Sequence, residues 1–114
     1  MLTIKEKGLL IYIIEHCERV ENKTKDITKE IFKNNKDLQE IVCFNILQIG
    51  ELAKRFESPF LRKYNGVPWK DIKGMRDKVA HGYGTIDFND VWNTVSCDII
   101  PLKEYCKSII EDYE

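Results

Sequence analysis

From Asp37 to Glu57 the chain reads DLQEIVCFNILQIGELAKRFE, and this stretch decides the fold. It holds no proline, and Leu38, Ile41, Val42, Ile49, Leu52, Ala53 and Phe56 recur at helical spacing along one face. Asp37-Leu38-Gln39-Glu40 opens it as an acidic variant of a capping box. Cys43, Phe44, Ile46 and Leu47 are apolar as well, so the centre of the predicted helix is hydrophobic almost all round. Such a helix needs cover on two sides. One cover is the internal core, and the other is a second copy of the chain, which predicts a homodimer. A fully central helix in a monomer is the alternative. Asn45 falls on the apolar stripe and needs a polar partner, across a dimer seam or towards an active site.

Helical spacing continues on both sides. Leu10, Ile13, Ile14, Cys17 and Val20 form one stripe of a helix over about Thr3 to Glu21, with His16 on its polar side as a surface residue. Asn22 to Lys25 read as a polar turn, after which Thr24 or Asp26 caps a short helix that turns Ile27, Ile31 and Phe32 inward. Ser58-Pro59 and Asn65-Gly66 bracket a polar connection, and Pro68 suits the first position of the next helix. That helix carries Trp69, Ile72, Met75 or Arg76, and Val79, and should fail near Gly82 and Gly84. His81 is then in its last turn and Tyr83 in a glycine-flanked bend. Asp87 caps a final helix whose stripe is Phe88, Val91, Trp92, Val95, Ile99, Leu102, Cys106 and Ile109, with a kink at Pro101. Trp69 and Trp92 read as core. No strand pattern or repeat appears, so the predicted architecture is all-α, an antiparallel up-and-down four-helix bundle with one additional short helix.

At 114 residues and 43% hydrophobic content the chain is expected to be one domain, 1–114, with room for one active site. No run approaches the length of a membrane span, and the apolar stretch Leu9 to Ile14 ends at Glu15 without a signal-peptide cleavage pattern. A soluble, cytoplasmic protein is expected. Cys17, Cys43, Cys97 and Cys106 are dispersed, which predicts reduced core thiols, no metal site and no cofactor.

The net charge of −1 hides an asymmetry. Between Lys54 and Lys78 the local balance is +5, and the remainder carries −6. Positive potential is therefore concentrated in about a fifth of the chain, around the segment from Lys54 to Lys78, where phosphates would be attracted, while the acidic remainder would repel a long duplex. A short single-stranded contact fits this pattern better than a wrapped one.

At the end of the basic stretch and running past it lies Arg76-Asp77-Lys78-Val79-Ala80-His81-Gly82-Tyr83, an R-x-x-x-x-H-x-Y pattern. It supplies a permanent cation, a group that titrates near neutral pH and a phenol, a set suited to a phosphodiester. Lys70, Lys73 and Lys78 flank it as candidate phosphate contacts.

Four segments together carry a family resemblance: Ile49-Gly50-Glu51-Leu52-Ala53-Lys54-Arg55, Val67 through Arg76, the R-x-x-x-x-H-x-Y motif, and Asp87 through Trp92. In order and spacing, over roughly Ile41 to Tyr105, the chain resembles the HepT-like family of HEPN-domain proteins. The resemblance implies an all-helical dimer that acts as a metal-independent endoribonuclease, the toxin of a prokaryotic toxin–antitoxin pair. It implies as partner a minimal nucleotidyltransferase, the MntA-type antitoxin, which silences the toxin by transferring AMP to the motif tyrosine. Carried over, Arg76 and His81 are the catalytic pair and Tyr83 the modifiable position. Asp77 fills a place where the family accepts Asn, Asp or His.

The chemistry is compatible with those roles. RNA can be cut by its own 2′-OH if a base takes the 2′ proton, an acid serves the 5′ oxygen and a cation stabilises the crowded phosphate. His81 can be base or acid, since an unperturbed histidine titrates at about 6.5, and Arg76 can hold the phosphate. One histidine cannot easily do both, so a dimer that faces two motifs across one groove is the expected unit. The products would be a 2′,3′-cyclic phosphate and a 5′-hydroxyl. Five residues apart on an ideal helix, Arg76 and His81 point about 140° from each other, so the helix end must help them converge. Tyr83 can position RNA, accept AMP, or pack on the bundle end. Glu51 either pairs with Arg76 across helices or faces solvent. A catalytically idle module that binds a nucleotide or docks the transferase stands as the rival function, and so does a structural partner whose motif only steadies the dimer, because the bundle licenses no chemistry by itself.

Overall fold

Helices begin where a side chain can accept an otherwise orphaned backbone N–H. In the computed structural model, which describes residues 1–80 and 85–112, Thr3 caps α1 (Ile4–Thr24) through a full capping box with Glu6. Thr28 caps the short α2 (Lys29–Lys33), and Asn35 caps α3 (Lys36–Ala53) by accepting from the Leu38 N–H. Pro59 sits in the first turn of α4 (Ser58–Lys63), where its missing N–H costs nothing. α5 (Trp69–Val79) follows Pro68, and Asp87 caps α6 (Phe88–Cys97) by accepting from Asn89 and Asp90. α7 (Ile99–Asp112) completes the described residues.

Cross-helix contacts fix the directions. Glu21 meets Lys103 and Glu18 meets Lys107, so α1 and α7 run antiparallel. Arg55 and Phe56, just past α3, close over Thr3 to Leu9, so α3 descends beside α1. Gly50 touches Arg76, while Lys54 lies level with Lys70 and Lys73, so α5 ascends beside α3. Lys78 reaches Asp90, and Gly66 meets Tyr105, which brings α6 and α7 back down alongside α5. The four long limbs form an antiparallel bundle around Leu10, Ile13, Val42, Ile46, Ile49, Ile72, Met75, Val91, Leu102 and Cys106. Phe32 of α2 plugs one end against Phe88 and Trp92, and stacked Phe56 and Phe60 pack with Trp69 near the other.

Several sequence expectations shift. The first helix runs on through Thr24, so the polar stretch from Asn22 prolongs α1. The caps of α2 and α3 are Thr28 and Asn35 in place of Thr24 or Asp26 and Asp37, because each lies three residues before the N–H it satisfies. Ile31 is exposed, since five residues of α2 can bury only one side. The connection after Ser58 contains α4, whose buried Phe60 the polar neighbours masked. Pro68 precedes its helix by one residue. The final helix is two: the ladder breaks at Asp98, and Pro101 then occupies the third position of α7, where an unpaired N–H is ordinary. Among the described residues two short helices, α2 and α4, therefore accompany the four limbs, the last of which is split into α6 and α7.

Candidate active site

The site is built where α3 and α5 come closest. A Cβ added to Gly50 would lie 2.8 Å from the Arg76 backbone nitrogen, so only glycine lets the two backbones approach this far. One residue on, Glu51 forms an ion pair with Arg76 Nε, as the interhelical alternative anticipated. The carboxylate oxygen in that pair is shut off from solvent although the side chain as a whole is 41% exposed. Asp77 stands 3.3 Å from Arg76 Nη1, which leaves Nη2 without a carboxylate among the described residues. The guanidinium is thus gripped at its base and open at its tip, the geometry a phosphate-holding arginine needs.

α5 presents three faces. Ile72, Met75 and Val79 enter the core. Lys70, Lys73 and Asp77, at a spacing of three and four, line an open groove of about 560 Å³ with Lys54, Leu61, Trp69 and Gly74. On the third side Lys78 donates to Thr94 at 3.1 Å and lies 3.4 Å from Asp90. Of the three lysines expected to meet phosphate, two share the groove with each other and one is tied to α6. Between Met75 and the break at Asp98 a smaller cavity of about 280 Å³ opens, with Cys97 on its lining. His81 and Tyr83 lie outside the described residues, as do Gly82 and Gly84.

Asn45 is 3% exposed and finds its partner in His16, which the sequence had suggested was a surface residue. The Nδ1 of His16 donates to Asn45 Oδ1 at 2.7 Å, and Asn45 Nδ2 donates to the Ile41 carbonyl at 2.8 Å. Neither atom set reaches Arg76. Asn45 therefore locks α1 to α3 within the protomer. Beside this lock, Ile11 and Tyr12 on α1 and Ile41 and Phe44 on α3 remain exposed.

Sequence reading missed Lys103, buried on α7 with its ammonium 2.5 Å from Glu21 Oε1. The signal was present, since Lys103 lies four residues after Ile99 and three before Cys106 on the same stripe. Its hydrogen bond to Glu21 raises its pKa against the opposing effect of burial. Cys17, Cys43 and Cys106 are free buried thiols, and Cys97, expected in the core, is exposed because it closes α6. Burial pushes Cys43 up to about 11 and Cys106 up to about 12, so both are inert as nucleophiles. Among the described residues no three His, Cys, Asp or Glu side chains cluster as metal ligands would, and no helix is long and apolar enough to cross a membrane.

An all-α bundle with a carboxylate-anchored arginine beside a lysine groove is, as a class, a helical protein with its cations gathered at one site. A family model described as "Ribonuclease HepT-like" matches residues 13–109, and the chain belongs to this family of ribonucleases. It is 35% identical over 108 residues to "Putative RNase MJ0125" of Methanocaldococcus jannaschii, covering 95% of this chain and 93% of that protein. It is 36% identical over 97 residues to "Probable ribonuclease HepT" of Thermococcus cleftensis, covering 85% and 88%. A further relative in M. jannaschii, "Gamma-glutamylcyclotransferase and putative RNase MJ0434", is 38% identical over 95% of this chain and 49% of its own length. No solved structure is a significant match.

Proposed function

We propose that this chain is a metal-independent endoribonuclease that cuts single-stranded RNA as a homodimer. It acts in the cytoplasm as the toxin of a prokaryotic toxin–antitoxin pair. The observation that carries this reading is the seating of Arg76, held at Nε by Glu51 and delivered by the Gly50 close approach to the helix end that leads to His81. A guanidinium fixed in this way stabilises charge as it develops on a phosphate without having to reorganise. One His81 then takes the proton of the 2′-OH as base, and the second His81, from the partner copy, gives a proton to the leaving 5′ oxygen as acid. The MntA-type nucleotidyltransferase neutralises the enzyme by transferring AMP to Tyr83, which sets a bulky anion where the substrate phosphate binds.

The test is cleavage of end-labelled single-stranded RNA by the purified, unmodified protein in EDTA, beside His81→Ala and Arg76→Ala. Cutting that requires both residues and leaves 2′,3′-cyclic phosphate ends is expected. A verified unmodified dimer that leaves RNA intact would transfer the case to a non-catalytic module that binds nucleotide or docks the transferase.

A further inference from the structure

We propose that the groove lined by Lys54, Lys70 and Lys73 is the track on which the ribose–phosphate backbone of single-stranded RNA approaches Arg76, with Gly74 as the seat where that backbone comes closest. The inference rests on the ribonuclease reading above and adds to it the path of the substrate, a lysine outside the motif helix and a role for a glycine.

Charge supports it first. The motif's own cations in the described residues are already engaged, Arg76 by Glu51 and Asp77 and Lys78 by Asp90 and Thr94. Lys54, Lys70 and Lys73 meet no carboxylate within salt-bridge distance among the described residues, yet three like charges from two elements line one concavity. Assembling them costs repulsion that a polyanion would relieve. Lys54 closes α3, while Lys70 and Lys73 stand one turn apart on α5, so the cations form a row rather than a point. A row matches successive phosphates.

Gly74 supports it independently. Glycine inside a helix is less favourable than alanine, and Gly74, unlike the equally open Gly8 of α1, borders a cationic groove. At Gly50 the glycine serves an internal contact, but a Cβ added at Gly74 would meet nothing within 4 Å. The space above it opens on one side into the groove, bounded by the lysines and leading to Asp77 beside Arg76, and on the other into a depression with Asp71, Lys78 and Asp98. Bare backbone at that spot leaves room for an external chain at van der Waals range. The shape and charge suit a flexible single strand; a duplex would be held off by the acidic remainder of the surface.

The experiment measures binding of a fluorescent single-stranded RNA 20-mer to the full chain in the His81→Ala background, across salt concentrations. The triple variant Lys54→Gln, Lys70→Gln, Lys73→Gln is compared with a charge-matched control, Lys29→Gln, Lys33→Gln, Lys36→Gln, at exposed positions. Each single-strand phosphate contact contributes about −0.7 to the slope of log affinity on log salt, so the triple variant should be shallower by about 2. Between 50 and 200 mM salt it would then lose roughly twentyfold less affinity than the parent or the control. Gly74→Ala should raise Tm and weaken RNA binding together. If the protein with His81 intact cuts RNA but the triple variant keeps the parental slope and Gly74→Ala binds as before, the track is overturned and the groove serves a protein partner. If that protein neither binds nor cuts RNA, the ribonuclease reading falls, and the track with it.

Discussion

At the scale of single residues the site depends on one backbone approach and one ion pair. Replacing Gly50 by alanine sets a methyl group 2.8 Å from the Arg76 nitrogen, a main-chain atom that no rotamer change can move aside. Gly50→Ala should cost about 1–3 kcal/mol in urea denaturation, the range for overpacking a well-filled core. Glu51→Gln tests something different. The pair is about 40% exposed on each side, so its loss should scarcely move Tm. An arginine freed to wander by about 1 Å, however, should lower kcat for RNA cleavage ten- to hundredfold with a smaller change in KM. Equal losses of Tm and kcat would reduce Glu51 to a structural contact. The interhelical pairing was readable from the sequence as one of two options, because Glu51 and Arg76 stand in segments of matching family pattern. The steric need for Gly50 was not, since it depends on a neighbour twenty-six positions away.

At the scale of elements, apolar periodicity revealed all four long limbs, and only the boundaries slipped. Stripes of apolar residues report which face is buried, but a cap is one hydrogen bond, and Asn35 and Asp37 are equally plausible acceptors until the chain direction is known. Short α4 escaped because six residues hold less than two turns of periodicity. Pro101 was rightly seen as a disturbance but was assigned a kink; with the break at Asp98 it becomes an initiator of α7. What periodicity could not disclose is a polar residue on an apolar stripe that has found its mate, as with Asn45 and His16 or Lys103 and Glu21. The second pair joins α1 to α7. Glu21→Gln should destabilise the fold by about 1–2 kcal/mol, because a nearly buried ammonium loses its hydrogen-bonded carboxylate and keeps only Glu104 at 3.7 Å. The double change Glu21→Leu with Lys103→Met should recover most of that loss in the same denaturation assay.

At the scale of the whole molecule, buried thiols set an alkaline limit. Desolvation raises Cys43 from 9.0 to about 11 and Cys106 to about 12, and Cys17 higher still. Each raised group holds its proton in the folded state after the unfolded chain has lost it, so its stabilising effect is complete below pH 9 and declines above. Lys103, raised from 10.5, adds to the decline at higher pH. Between about pH 9 and pH 11, three thiols at about 1.4 kcal/mol per pH unit each should lower unfolding free energy by about 4 kcal/mol per unit. Urea midpoints should be flat from pH 7 to 8.5 and then fall steeply; Cys43→Ala should soften the fall. The uncovered side of the molecule raises the last question. Phe44 is 57% exposed and Ile41 38%, on the same helix whose other face fills the core, with Tyr12 beside them at 56%. A second copy placed there would bury the apolar group and set two motifs in one assembly. Phe44→Asp should then give a monomer in sedimentation equilibrium that no longer cuts RNA. If one His81 is base while the other is acid, wild-type and His81→Ala subunits mixed in equal amounts and allowed to exchange should retain about a quarter of the activity, since only dimers with two histidines turn over. Retention of about half would mean that each subunit cleaves alone, and the shared site would be abandoned.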